Sequence, residues 1–231
     1  MSSFDQPIPQ SIAYEQTLLR RVYNWMAAGL GLSGVIAYYL MRNEELIRSF
    51  VASPMRFWGI FIAQLALVLF LSSRIARMSV ATATFMFFLY AGLNGLALSP
   101  IFLVYTQGSI AAAFLSTGGM FAAASLWGTV TKRSLSTWGH YLTMALLGFM
   151  VALIVNFWLH SSILDLAISV AMVILGVGLT AYDTQRIKML SGSFGSDGEM
   201  ETRAAILGAF SLYLDFVMMF VYALRLMGRR R

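Results

Sequence analysis

From Met78 to Thr131 the chain carries no charged residue. That run is more than twice the roughly 20 apolar residues that cross a bilayer's hydrocarbon core as a helix. Composition agrees along the whole chain. Hydrophobic residues make up 59 % of the 231 and charged residues 11 %, with a mean hydropathy of +0.74. Soluble domains run at about 45–50 % apolar and about 25 % charged, and a surface this poor in polar groups is not covered in water. An ordinary soluble enzyme, a nucleic-acid-binding module and a disordered segment are thereby excluded. The net charge of +6 does not restore a nucleic-acid partner. The basic residues sit in short clusters between apolar runs, the distribution found in membrane proteins. Cysteine is absent, so there is no disulfide framework, thiolate metal site or cysteine nucleophile, and the redox compartment stays open. Residues 1–19 carry Asp5 and Glu15 and lack a basic start followed by an apolar core, so no cleavable signal peptide is expected.

The apolar runs predict an all-α polytopic protein with seven spans in a single membrane domain over residues 1–231. Span one runs from Val22 to Leu40 and span two from Phe57 to Ser73. The long uncharged run divides at Ser99-Pro100 and at Thr106-Gln107-Gly108 into span three (Ser79 to Tyr105) and span four (Ser109 to Thr131). Pro100 ends a helix or kinks one. Span five runs from Trp138 to Leu159, span six from Ile163 to Tyr182 with helix continuing toward Leu190, and span seven from Ala204 to Leu224. Residues 1–21 form an N-terminal segment and 191–203 a polar loop between spans six and seven. Trp25, Trp58, Trp127, Trp138 and Trp158 fall near span ends, as interfacial aromatic belts require. The small residues of span four (Ala111, Ala112, Ala113, Gly118, Gly119, Ala122, Ala123 and Ala124) read as a packing surface.

Basic residues set the expected orientation. Arg20, Arg21, Arg74, Arg77, Lys132, Arg133, Arg186, Lys188 and Arg203 share one side, against Arg42, Arg48 and Arg56 on the other. That bias puts the N-terminus in the cytoplasm. The basic C-terminal tail, Arg225 to Arg231, argues the other way.

An ionisable group inside a membrane is costly, about 2.5–3.5 kcal/mol for Asp at a helix centre on insertion scales, and marks a functional candidate. Asp215 is the only charged residue between Ala204 and Leu224. Gly208, Ser211, Asp215 and Tyr222 follow helical spacing and form one stripe on span seven. Asp183 lies near the end of span six, on a face with Gly176, Thr180 and Ile187. Consecutive spans joined by one loop pack as antiparallel neighbours, so the two carboxyls are placed to meet, share a proton and titrate together. The plainer alternatives are a protonated Asp215 in a helix–helix hydrogen bond and an Asp183 paired with Arg186 or Lys188. Arg74 and Arg77 close span two, either as snorkelling anchors or as a basic partner for an aspartate. Asp165 begins span six as a helix N-terminal charge. Gln64, Asn94, His140 and Asn156 are further intramembrane or interfacial polar residues, read as interhelical glue or pore lining.

Catalytic motifs are missing. No HExxH, G-x-S-x-G, P-loop or dinucleotide glycine pattern occurs, and His140 and His160 are too far apart for a single-helix metal pair. An intramembrane aspartyl protease shares a proton between two Asp residues, and Tyr182-Asp183 matches the first half of its motif. Leu212-Tyr213-Leu214-Asp215-Phe216 lacks the glycines of the second half, and no Pro-Ala-Leu follows. No enzyme activity and no cofactor are expected.

Tyr182-Asp183-Thr184-Gln185, then Ser211-Leu212-Tyr213-Leu214-Asp215-Phe216, resemble the transmembrane Bax inhibitor motif (Bax inhibitor-1) family. So does Gly92-Leu93-Asn94-Gly95-Leu96-Ala97-Leu98-Ser99-Pro100-Ile101. The resemblance spans Arg21 to Met227, and the short N-terminus suits a bacterial-type member of the inner (plasma) membrane. It implies seven helices with the last one central, and a pH-sensitive calcium leak. It also implies that Asp183 and Asp215 form the proton-sensing pair and that Arg74, deeper than Arg77, is the latch. Ser191 to Gly198 looks like an insertion. Carboxylates suit calcium, so both aspartates are possible ion ligands, with backbone carbonyls and water completing the shell. Some bacterial relatives are instead bound by a membrane-anchored AAA protease and modulate it. The expected partners are therefore the lipid bilayer, the calcium ion and, in that second reading, the protease.

Overall fold

The structure is a computed structural model that describes residues 10–43, 45, 47–48, 52–190 and 198–229. Its long helices are α1 (Gln10–Met41), α2 (Pro54–Arg74), α3 (Val80–Leu98), α4 (Gln107–Val130), α5 (Ser136–Leu159), α6 (Ser162–Leu190) and α7 (Gly198–Met227). All of α2 to α7 are long and apolar enough to cross a membrane. α1 is long enough but more polar, with Tyr23, Asn24, Ser33, Tyr38 and Tyr39 along it. It still packs inside the bundle, against α3 and α7.

Local chemistry sets the helix ends. Pro54 occupies the first turn of α2, where its missing N–H leaves no bond unmade. Ser79 caps α3 by accepting from Thr82 N at 3.2 Å, and Thr106 caps α4 by accepting from Ser109 N at 3.3 Å. The predicted division at Ser99-Pro100 is real: α3 stops at Leu98 and a single turn, Ile101–Val104, precedes α4. His160 ends α5 in the left-handed conformation, at φ 49°. Asn156 accepts from Ser161 N at 3.1 Å, so it braces the α5–α6 turn rather than another helix.

Two boundaries differ from the sequence reading. α1 begins at Gln10, twelve residues before the predicted span at Val22. α7 begins at Gly198, so 198–203 is helix rather than loop; residues 191–197 lie outside the described residues. Ion pairs between the helix ends hold these extra turns: Glu15 to Lys188 at 3.5 Å and Arg21 to Glu201 at 3.5 Å. Arg21 and Lys188 make this the basic end of the bundle.

α7 is the central helix. In its most apolar stretch 61 % of residues are buried, against none in α5 and 6 % in α2, and it touches α1, α3, α4 and α6. Phe210, Leu212, Tyr213 and Met219 are fully enclosed. α1, α3 and α7 are tied at one hydroxyl. Ser33 Oγ donates to Ala91 O at 2.7 Å and accepts from Tyr213 Oη at 2.7 Å. Gly95 allows this approach, since a Cβ there would sit 2.6 Å from Ser33 O. Tyr213→Phe deletes one interhelical bond and is expected to lower stability by about 0.6–1.7 kcal/mol, read as a lower unfolding midpoint in detergent.

α2 and α5 lie at the periphery. Trp58, Trp127, Trp138 and Trp158 are exposed, as an aromatic belt requires. Trp25 instead turns inward, its ring 5.6 Å from that of Phe88, because α1 extends well past it. The small residues of α4 also divide. Ala113 and Ala124 are buried, but Ala111, Ala112, Gly119, Ala122 and Ala123 are exposed on the outer face. The close contact falls instead on Gly128, against the backbone of Ala181.

Candidate functional site

A cavity of about 420 Å³ opens at the basic end, between α1, the 3-10 turn Ile75–Arg77, α6 and α7. Leu18, Ile75, Ile187 and Leu207 give it apolar walls, while Asp183, Arg186, Arg203 and Ser211 supply its polar groups. Four consecutive residues of α6 show how Asp183 is aimed there. Successive helical side chains point about 100° apart, so each of the four meets a different neighbour. Tyr182 packs beneath Gly139 of α5. Asp183 faces the cavity. Thr184 hydrogen-bonds Ser125 of α4 at 3.2 Å, and Ser125 in turn bonds Tyr23 of α1. Gln185 braces the α4–α5 connection, accepting from Leu135 N at 2.7 Å and donating to Arg133 O at 2.9 Å. Three of the four residues fix the helix, and the remaining one is left to the cavity.

Asp215 lies deeper. Gly208 and Ser211, on its own stripe of α7, line the cavity, but Asp215 does not. It is 6 % exposed, and its Oδ2 has no hydrogen-bond partner among the described residues. The stripe's far member, Tyr222, stacks with Arg225 at 5.2 Å. The face of α6 carrying Gly176, Thr180, Asp183 and Ile187 packs on α7, as its spacing predicts. Gly176 meets Met219, and Gly208 meets Ile187. Asp183 and Asp215 are thereby brought within electrostatic reach of one another.

The cations that line the cavity are Arg186 and Arg203. Arg74 is the last residue of α2, and its side chain is exposed. It forms no ion pair with either aspartate among the described residues. Its neighbours Ser72 and Ile75 line the cavity, and Arg74 is not among the lining residues. Arg186, three residues from Asp183 on α6, acts on it electrostatically. Arg203 lines the same cavity and pairs with Glu199 at 2.6 Å. Lys188 bonds Thr129 O at 3.1 Å besides reaching Glu15. Asp165 holds the first turn of α6 and pairs with Arg225 at 3.1 Å, at the opposite end of the bundle. Among the described residues no three His, Cys, Asp or Glu side chains cluster as a metal site.

An all-helical bundle around a central helix with a buried carboxyl, six of its helices apolar and membrane-length, defines a polytopic integral membrane protein. The family described as "Inhibitor of apoptosis-promoting Bax1" matches residues 15–231. Inner membrane protein YbhL of Escherichia coli strain K12 is 44 % identical over 225 residues, 97 % of this chain and 96 % of that one. An uncharacterized protein of Deinococcus radiodurans is 40 % identical over 215 residues, covering 93 % and 91 %. Another, of Borreliella burgdorferi, is 38 % identical over 222 residues, covering 96 % of each chain. The chain belongs to the Bax inhibitor-1 family.

Proposed function

We propose that the chain is a pH-sensitive cation leak of the inner membrane, with calcium as its ion and Asp183 and Asp215 as its shared-proton gate. One observation carries the reading. A carboxylate lines a cavity at the basic end, and a second, buried carboxyl with an unpartnered oxygen lies one step deeper across the same helix pair. Two ionised carboxylates at such separation repel in a medium of low dielectric constant, so a proton added to the pair relieves the repulsion and reweights the packing of α6 on α7. Asp183 offers hard oxygen to a cation in the cavity, and water and backbone carbonyls complete its shell. Arg74, at the end of α2 next to the cavity-lining Ile75, is the latch of this reading. The loop bias of the basic residues supports an N-terminus and a cavity mouth in the cytoplasm, and the relative named an inner membrane protein supports that membrane.

Calcium entry into proteoliposomes, followed across the neutral pH range, tests this. Wild-type protein is expected to give a pH-dependent flux, and Asp183→Asn to lower it several-fold at every pH. Absence of flux at any pH from folded, inserted protein overturns the leak and favours the alternative, an interaction protein that modulates a membrane-anchored AAA protease.

A further inference from the structure

Glu15, Leu18 and Arg21 follow one another at three-residue spacing near the start of α1. Residues three apart on a helix differ by about 60° in direction, so Leu18 points between the two charges. Each of the three directions meets a partner. Leu18 is 1 % exposed and lines the cavity at the basic end. Glu15 reaches Lys188, in the last turn of α6, at 3.5 Å. Arg21 reaches Glu201, in the first turn of α7, at 3.5 Å. These turns of α1 therefore straddle the ends of the two helices that carry Asp183, Arg186, Arg203 and Ser211 into the cavity. Leu190 and Met200, at those same helix ends, also line it. With Leu18 they form its rim.

α1 is held in two ways along its length. From Tyr23 onward its polar contacts lie inside the bundle. Tyr23 bonds Ser125 of α4, and Ser33 bonds Ala91 O and Tyr213 Oη, each at 2.7 Å. Before Val22, Gln16, Thr17, Arg20 and Arg21 are exposed. Both ion pairs are open to solvent, with the side chain of Arg21 46 % exposed and that of Lys188 36 %. Pairs of that exposure are weak, and salt screens them: the Debye length falls from about 10 Å at 0.1 M to about 3 Å at 1 M. Lys188 also donates to Thr129 O of α4 at 3.1 Å, a bond that holds it in place when Glu15 leaves. We propose that residues 15–21 of α1 are a strap across the cavity mouth, fastened by Glu15 to Lys188 and by Arg21 to Glu201 and released by ionic strength at the basic end. Release lifts Leu18 from the rim and widens the way to Asp183 and Ser211. The strap's role as a gate for cations rests on the leak proposed above.

The strap is read without any ion flux, so its failure is distinct from failure of the leak. The chain has no cysteine, so one introduced thiol reports on the cavity. Ser211→Cys puts a side chain of similar size inside it, and Ser134→Cys is the exposed reference at the same end. Reaction with a neutral maleimide is timed for the full chain in lipid nanodiscs, and the rate for Ser211→Cys is divided by that for Ser134→Cys. The ratio is expected to rise several-fold from about 0.1 M to about 1 M potassium chloride. Adding Arg21→Glu is expected to raise it several-fold at low salt, and adding Glu201→Arg to that variant to bring it back down. A ratio that does not move with salt overturns the strap. So does a ratio that Arg21→Glu leaves unchanged at low salt, or one that Glu201→Arg does not restore. The salt series needs no charge variant, so it decides the matter even if Arg21→Glu does not fold. A ratio that rises with salt in protein that passes no calcium overturns the leak alone.

Discussion

Asp215→Asn is expected to leave calcium flux intact and to flatten its dependence on pH. Asparagine has nearly the shape of aspartate and cannot ionise, so the variant keeps the packing of α7 on α6 while removing the group that titrates. The fold tolerates the change because Oδ2 of Asp215 gives up no hydrogen bond within the described chain. A single proton coupled to opening changes the flux by at most about tenfold per pH unit, equivalent to about 1.4 kcal/mol. That slope is what the variant removes. Proteoliposome flux measured at several pH values beside the wild type decides it. A variant that keeps the wild-type slope moves the sensor to Asp183, the other carboxyl of the pair.

Much of this arrangement was legible in the sequence, and the misses share a physical cause. The apolar runs located every long helix, and Ser99-Pro100 marked the break between α3 and α4. Helical spacing put Gly176, Thr180, Asp183 and Ile187 on the face that meets α7. The charged ends were misread because a membrane boundary was taken for a helix boundary. Glu15 and Arg21 look like solvent-exposed charge, yet they find partners at Lys188 and Glu201, far along the chain. The buried positions Leu18, Val22 and Met26, spaced one turn apart, were the signal that α1 starts early. Arg74 was chosen for its depth along α2, but depth does not fix azimuth. Leu71 and Ile75 are the buried neighbours, and Arg74 is exposed.

Gly128→Ala is expected to be the most destabilising single-methyl change in α4. Alanine at a helix interior normally gains roughly 0.5–1 kcal/mol over glycine. Here its Cβ runs into the carbonyl of Ala181, with Ala181 Cα 3.1 Å away. Backbone on the opposing helix cannot rotate aside as a side chain does, so α4 and α6 must separate. Overpacking of this kind costs about 1–3 kcal/mol, which outweighs the propensity gain. The separation also strains the bonds from Lys188 to Thr129 O and from Gln185 to Arg133 O, both within two turns of Gly128. Gly118→Ala and Gly119→Ala are the internal controls. A Cβ at either position meets nothing within 4 Å, so these variants keep the propensity gain and unfold at or above the wild-type midpoint. Thermal unfolding of the three variants in one detergent separates the effects. If Gly128→Ala unfolds with Gly118→Ala, the α4–α6 contact is looser than the register through Ser125 and Thr184 requires. Asp183, one residue before Thr184, would then be held less firmly in its cavity.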